Sequence, residues 1–229
     1  LMGHPQLVAD NVSAMKSEVD IPVTVKTRIG IDEQEDFETL VDFVGRLDEA
    51  GVDGLVIHAR KAWLQGLSPK ENRDIPPLRY DWAHQIKQAF PHLSIAINGG
   101  ITTHADAQLH LYDYQGLPAV DGVMLGRSVY EKPYLLAEVD ALYYEDESSV
   151  VSREEVIKRM LPYIENHLSG GGKLIQITRH MLGLFHGLPG GRMWRRYLSE
   201  NAFKPTAGIE TIEHAYKLVA DEIQRMQDK

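Results

Sequence analysis

The stretch Ser94–Thr103, SIAINGGITT, decides how the rest of the chain is read. It opens as a short apolar strand, passes through Asn98-Gly99-Gly100, and offers two threonines where a helix can begin. Two adjacent glycines add nothing to packing. Without a Cβ, however, the backbone can turn sharply and come close to a ligand, and a helix start behind it can aim N–H groups at an anion. The plainer alternative is a tight strand-to-helix turn.

The same device recurs outward from this stretch. IPVTVKTRIG (21–30) is a β-branched run, and EDFETLVDFVGRLDEAG (35–51) follows with apolar residues at helical spacing up to Gly51. VDGLVIHAR (52–60) reads as a second strand, YDWAHQIKQAF (80–90) as a helix, THADAQLHLYDY (103–114) as another, and VDGVMLGR (120–127) as a fourth strand. Apolar strands without alternation, each followed by an amphipathic helix, predict parallel βα units covered on both faces. From Ser152 the strands stop. SREEVIKRMLPYIENHL (152–168) opens with a Ser-x-x-Glu capping pattern, and further helices follow, split by SGGG and GLPGG. The acidic run EDESS (145–149) marks the expected junction, giving domains 1–144 and 145–229.

Each predicted strand ends in polar or glycine residues: KTRIG, HAR, NGG, GR. Ligands of parallel α/β folds gather at such strand ends. The NGG and GR turns, one βα unit apart, offer backbone N–H groups and a guanidinium to a phosphate. Arg28 and Arg60 also stand at strand ends, where a salt bridge or a ligand would each explain them.

The chain has 229 residues, 43% of them hydrophobic, which suits one domain with or without an appendage. No apolar run reaches membrane-spanning length and no basic-then-apolar leader opens the chain, so the expected location is cytoplasmic. There is no cysteine, hence no disulfide and no thiolate, and no metal-ligand pattern is expected. The formal charge of −9 is uneven. Residues 1–149 carry 12 Lys and Arg against 24 Asp and Glu, whereas 170–204 carry six against one. The acidic whole argues against a nucleic-acid coat, while the basic stretch leaves room for one docking face.

VTVKTRIG (23–30), LVIHARKAWLQGLSPKENR (55–73), IAINGGI (95–101), GVMLGRSVY (122–130) and GLPGGRMWRRYLSE (187–200), in that order, resemble the tRNA-dihydrouridine synthases. The likeness covers essentially the whole chain. KAWLQGLSPKENRDIPPL (61–78) is especially similar to the branch that modifies the tRNA D-loop, at position 20 or 20a. The resemblance implies an FMN-dependent oxidoreductase that uses NADPH to reduce uridine to dihydrouridine. It implies the C-terminal half, strands five to eight, of a TIM (β/α)8 barrel followed by an all-α tRNA-binding domain.

The resemblance also assigns roles. Lys26 would stabilise the anionic reduced flavin, the alternative being a surface lysine with a snorkelling stem. His58 would contact the flavin, or else be an ordinary hydrogen-bonded strand-end residue. Asn98, Gly99, Gly100, Gly126 and Arg127 would hold the FMN phosphate. Lys61, Lys70 and Arg73 in the long loop, with Arg192, Arg195 and Arg196 around Trp194, would contact tRNA, and Trp194 itself is expected in the core. The proton-donating cysteine of the family falls in a Gly-Cys-Pro-Ser loop expected upstream of Leu1, so the chain alone is expected to be inactive. Self-association through open sheet edges is expected as well. Two alternatives compete: a non-catalytic RNA-binding remnant, and a Schiff-base lyase using Lys26.

Overall fold

The computed structural model describes residues 1–34, 36–146 and 150–228. They form two compact units, Leu1–Leu125 and Gly126–Lys229. The first unit runs α1 (Pro5–Glu18), β1 (Thr24–Arg28), α2 (Phe37–Glu49), β2 (Gly54–His58), α3 (Glu71–Asp74), α4 (Tyr80–Ala89), β3 (Ser94–Asn98), α5 (His104–Gln108) and β4 (Gly122–Met124). Its helices begin and end on local chemistry. Asp36 caps α2 by accepting from the Thr39 N–H at 2.7 Å, and the helix buries Leu40, Phe43, Val44 and Leu47. α4 buries Trp82, Ala83 and Ile86 and packs on β3 and α2.

All four strands are parallel and lie in chain order, β1-β2-β3-β4. The register sets Lys26, Val56, Ala96 and Gly122 in one row. Arg28, His58, Asn98 and Met124 form the next row toward the strand ends. Side chains two apart share a face, so both rows point the same way. Leu55, Ile57, Ile95 and Ile97 point the other way and are fully or almost fully buried. The expected cover on both faces is therefore replaced by one buried face and one open face. On the open side Val56, Ala96, His58 and Asn98 keep partial exposure.

The half-barrel expectation is corrected here. β1 and β4 each pair on one side only, so the sheet of the described residues is open and four-stranded. A run of parallel βα units in chain order is common to an open α/β sheet and to a piece of a barrel. The sequence pattern thus held nothing about closure, and the strand count of eight came from the resemblance alone.

The second unit is helical throughout its described residues: α6 (Arg127–Glu131), a 3-10 turn (Pro133–Glu138), α7 (Val139–Tyr143), α8 (Arg153–Ser169), α9 (Ile175–Thr178), α10 (Gly191–Asn201) and α11 (Ile209–Gln227). The units divide between Leu125 and Gly126. Of the expected junction at 145–149, residues 147–149 lie outside the described residues. Ser152 caps α8 by accepting from the Glu155 N–H at 3.1 Å. The Glu155 side chain turns instead to Arg159 at 2.8 Å, so half of the capping box forms.

The core of this unit is Ile157, Ile164, Phe185, Leu198, Ile212 and Val219 around Trp194. Trp194 is fully buried and its Nε1–H donates to the Met181 carbonyl at 3.0 Å. The second glycine motif serves this packing. Gly190 has φ +75°, and a Cβ there would stand 2.7 Å from the Val219 Cα. The start of α10 can approach α11 so closely because the position is bare.

Candidate active site

The open face of the sheet carries the candidate site. Lys26 reaches across β2 to donate from Nζ to Asn98 Oδ1 at 2.9 Å. Asn98 in turn donates through Nδ2 to the Met124 carbonyl at 2.6 Å, which links β1, β3 and β4 at one mouth. Between them stands His58, whose Nδ1 is buried without a hydrogen-bond partner. Its ring pKa is pushed down to about 4 by burial and then by the charges of Arg28 and Lys26. His58 is therefore a neutral imidazole at pH 7. The Lys26 ammonium is also lowered, first by burial and then by Arg28. Among the described residues the mouth gathers cations and a polar ring, an arrangement suited to an anionic, partly apolar ligand.

Behind Asn98, both glycines take left-handed backbone, φ +112° at Gly99 and +71° at Gly100. A Cβ on Gly99 would press the His58 ring at 3.3 Å, and one on Gly100 would meet Leu78 at 2.7 Å. The two glycines are thus required both by conformation and by space. Three amides at the start of α5 are already engaged. Thr103 accepts from the Asp106 N–H at 3.0 Å, and the Asp106 carboxylate accepts from the N–H groups of Thr102 and Thr103 at 3.2 and 3.1 Å. A carboxylate thus sits at the helix start where the sequence reading expected an anion.

At the two open arginines the structure shows backbone carbonyls as partners. Arg28 donates to the carbonyls of Lys61 and Asn72 at 2.8 and 2.9 Å, and Arg60 donates to the carbonyl of Pro76. Both fasten the long loop after β2 rather than pair with carboxylates. Burial, Arg73 and Arg60 all weigh against the Arg28 charge. Within that loop Lys61 is buried, its ammonium donating to the Asp32 carbonyl at 3.2 Å and lying 4.0 Å over the Trp63 ring. Lys70 and Arg73 are exposed. Gly126 and Arg127, at the start of the second unit, are exposed too. On α10, Arg192 and Arg196 are exposed and Arg195 is half-buried, with Arg196 bonded to Glu200 at 2.9 Å.

Sequence reasoning missed several residues around the mouth. Asn72 is buried and organises the long loop by bonding the Trp63 backbone in both directions at 2.7 Å. Tyr80 donates to the Gly99 carbonyl at 2.8 Å. Next to it is a buried histidine pair. His84 Nδ1–H donates to the Pro118 carbonyl at 2.8 Å, and because a carbonyl can accept only, the other nitrogen, Nε2, accepts from His110 Nδ1–H at 3.1 Å. No local pattern announces such a cluster, since its members come from α4 and from the segment after α5.

This pair carries a pH prediction. Burial lowers the His84 pKa, and burial with His84 lowers that of His110 to about 4. Unfolded rings take a proton near the ordinary value of about 6.5. Stability is therefore complete above that pH and is lost progressively as pH falls toward 4. After discounting for solvent screening, we expect a loss on the order of 2 kcal/mol, visible in urea midpoints between pH 7 and pH 4.5. Exchanging His110 for Asn should reduce that slope and leave the share due to His58, and an unchanged slope would show that the pair is not a source.

In parallel α/β sheets ligands gather outside the carboxyl ends of the strands, where these cations and the glycine turn stand. The chain belongs to the dihydrouridine synthase family (Dus), whose sequence profile matches residues 1–220. It is 57% identical over 223 residues to the tRNA-dihydrouridine(20/20a) synthase of Shewanella oneidensis, and 56% identical over 216 residues to that of Vibrio cholerae. The same-named protein of Escherichia coli K12 is 54% identical over 222 residues. These matches take in 97%, 94% and 96% of this chain, and 65%, 64% and 63% of the relatives. The chain thus spans just under two-thirds of the length of these relatives.

Proposed function

We propose that the chain acts within an FMN-dependent tRNA-dihydrouridine synthase specific for the D-loop, position 20 or 20a, with NADPH as reductant. What supports the reading most is the group on the open face: the Lys26 ammonium, the Asn98 amide and the buried, unpartnered His58 Nδ1. An isoalloxazine has carbonyls and ring nitrogens for such donors, and the donor set fits it. When bound, FMN supplies the hydride that reduces the uracil ring. Lys26 would hold positive charge beside the flavin, His58 would offer one neutral nitrogen, and Asn98, Gly99 and Gly100 would hold the phosphate. Lys70, Arg73, Arg192, Arg195 and Arg196 would meet tRNA phosphates. Lys61 belongs to the loop anchor as it stands.

Two further elements belong to this proposal. The 229 residues contain no cysteine, so the thiol proton donor is not among them and the chain by itself is inactive. The unpaired sides of β1 and β4 are expected to promote self-association, which sedimentation at two concentrations would reveal. A soluble location is compatible with the described residues, none of whose helices is long and apolar enough to cross a membrane.

The test is FMN binding followed by flavin fluorescence. Lys26→Ala should weaken it about tenfold or more, the loss expected for a hydrogen bond to a charged group. Equal affinity in parent and variant would remove Lys26 from the site. Reductive trapping of a carbonyl compound on Lys26 in place of flavin binding would favour the lyase reading. Binding of tRNA with no flavin binding at all would favour the RNA-binding remnant.

A further inference from the structure

We propose that Tyr80 is a positioning residue that sets which way the Gly99–Gly100 peptide faces. This rests on the proposed phosphate role of that loop. A peptide between two glycines can flip at little cost, because neither residue carries a Cβ to block the rotation. Gly99 and Gly100 both already occupy left-handed backbone. Among the described residues the hydrogen bond that opposes the flip comes from the Tyr80 phenol, which donates to the Gly99 carbonyl at 2.8 Å. The peptide is trans, as are all those described. Its carbonyl and N–H therefore point in opposite directions. Fixing the carbonyl toward Tyr80 turns the Gly100 N–H away from α4, at a residue that is exposed while Gly99 is buried. The donor left for an anion is thus chosen by a side chain that does not touch the anion.

The phenol is itself held. Its ring packs on His110 with centroids 4.5 Å apart and meets Tyr114 edge-on at 6.5 Å. His110 is tied to His84, and His84 to the Pro118 carbonyl. A Cβ on Gly100 would lie 2.9 Å from the Tyr80 oxygen, so the glycine also gives the phenol room. Tyr80 is placed by this stack, whose two histidines are buried, and it in turn holds one peptide.

Tyr80→Phe removes the donor and keeps the ring on His110. Isothermal titration with FMN, and separately with inorganic phosphate, should show affinity about fivefold lower in the variant, the usual worth of one hydrogen bond. The melting temperature should hardly change. The Gly100 amide resonance, narrow in the parent, should broaden in the variant as the peptide exchanges between orientations. A purely structural role for Tyr80 would move the melting temperature and leave that resonance narrow. Equal affinities with an unbroadened Gly100 signal would overturn the proposal. If the parent binds neither FMN nor phosphate, the phosphate reading fails, and this inference with it. Should the variant not fold, deuterium exchange on the parent decides: the Gly100 N–H must gain protection when phosphate is added, and no gain refutes the assigned orientation.

Discussion

Given NADPH, FMN and unmodified tRNA, the 229-residue chain should form dihydrouridine at least roughly a hundred- to ten-thousandfold more slowly than the Shewanella oneidensis relative, the span over which a positioned general acid acts. The reason is chemical. Reducing a uracil double bond needs a hydride at one carbon and a proton at its neighbour. The family resemblance assigns the proton to a thiol, and the chain has no cysteine. The residues on the open face do not replace it. His58, with its pKa near 4, is a neutral ring at pH 7 and a very weak acid. One of the three Lys26 ammonium protons is engaged by Asn98, and the proposed role of the group is to keep its charge beside the flavin. Flavin binding can survive while turnover fails, so the assay should pair dihydrouridine content of digested tRNA with flavin retention. Turnover at the relative's rate would show that another acid suffices and would sink the thiol argument.

The second large effect concerns RNA. Replacing Arg192, Arg195 and Arg196 together with Ala should lower tRNA affinity and flatten its dependence on salt. Each lost phosphate contact removes about one unit from the slope of log K against log salt. The three are not equal. Arg196 is bonded to Glu200, an exposed i,i+4 pair of little energetic weight, while Arg192 and Arg195 carry the larger expectation. Folding should be spared, because the buried face of α10 is Trp194 and Leu198. A triple variant with the parental salt slope would take the 170–204 stretch out of the interface.

Much of the fold was legible because its signals are local. Helical spacing in 35–51, the Ser152 cap and four apolar runs ending in polar residues each depend on neighbours in sequence. The open face was not legible. GLVIH and SIAIN are apolar at nearly every position, so nothing in them separates Leu55 and Ile57, which are buried, from Val56, which is not. That distinction arises only when the helices fold onto one side. Closure was unreadable for the same reason, since it depends on whether distant edges meet.

Lys26, His58 and Asn98, to which the resemblance assigns the flavin site, stand together on the open face of the sheet. Lys61, expected to contact tRNA, is buried with its ammonium on the Asp32 carbonyl, 29 residues away in sequence. Tyr80, for which the sequence offered no signal, holds the Gly99 carbonyl.

The loop after β2 also bears on how such chains can diverge. Its two feet are fastened: Arg28 grips Lys61 and Asn72, Arg60 grips Pro76, and Asp32 takes the Leu64 N–H at 2.8 Å. Between them Gln65 and Gly66 are exposed, and Gly66, at φ +86°, makes the turn of the crest with open space around it. Insertions and deletions at that crest leave every tether in place, whereas a one-residue change between Arg60 and Trp63 would shift the register of all of them.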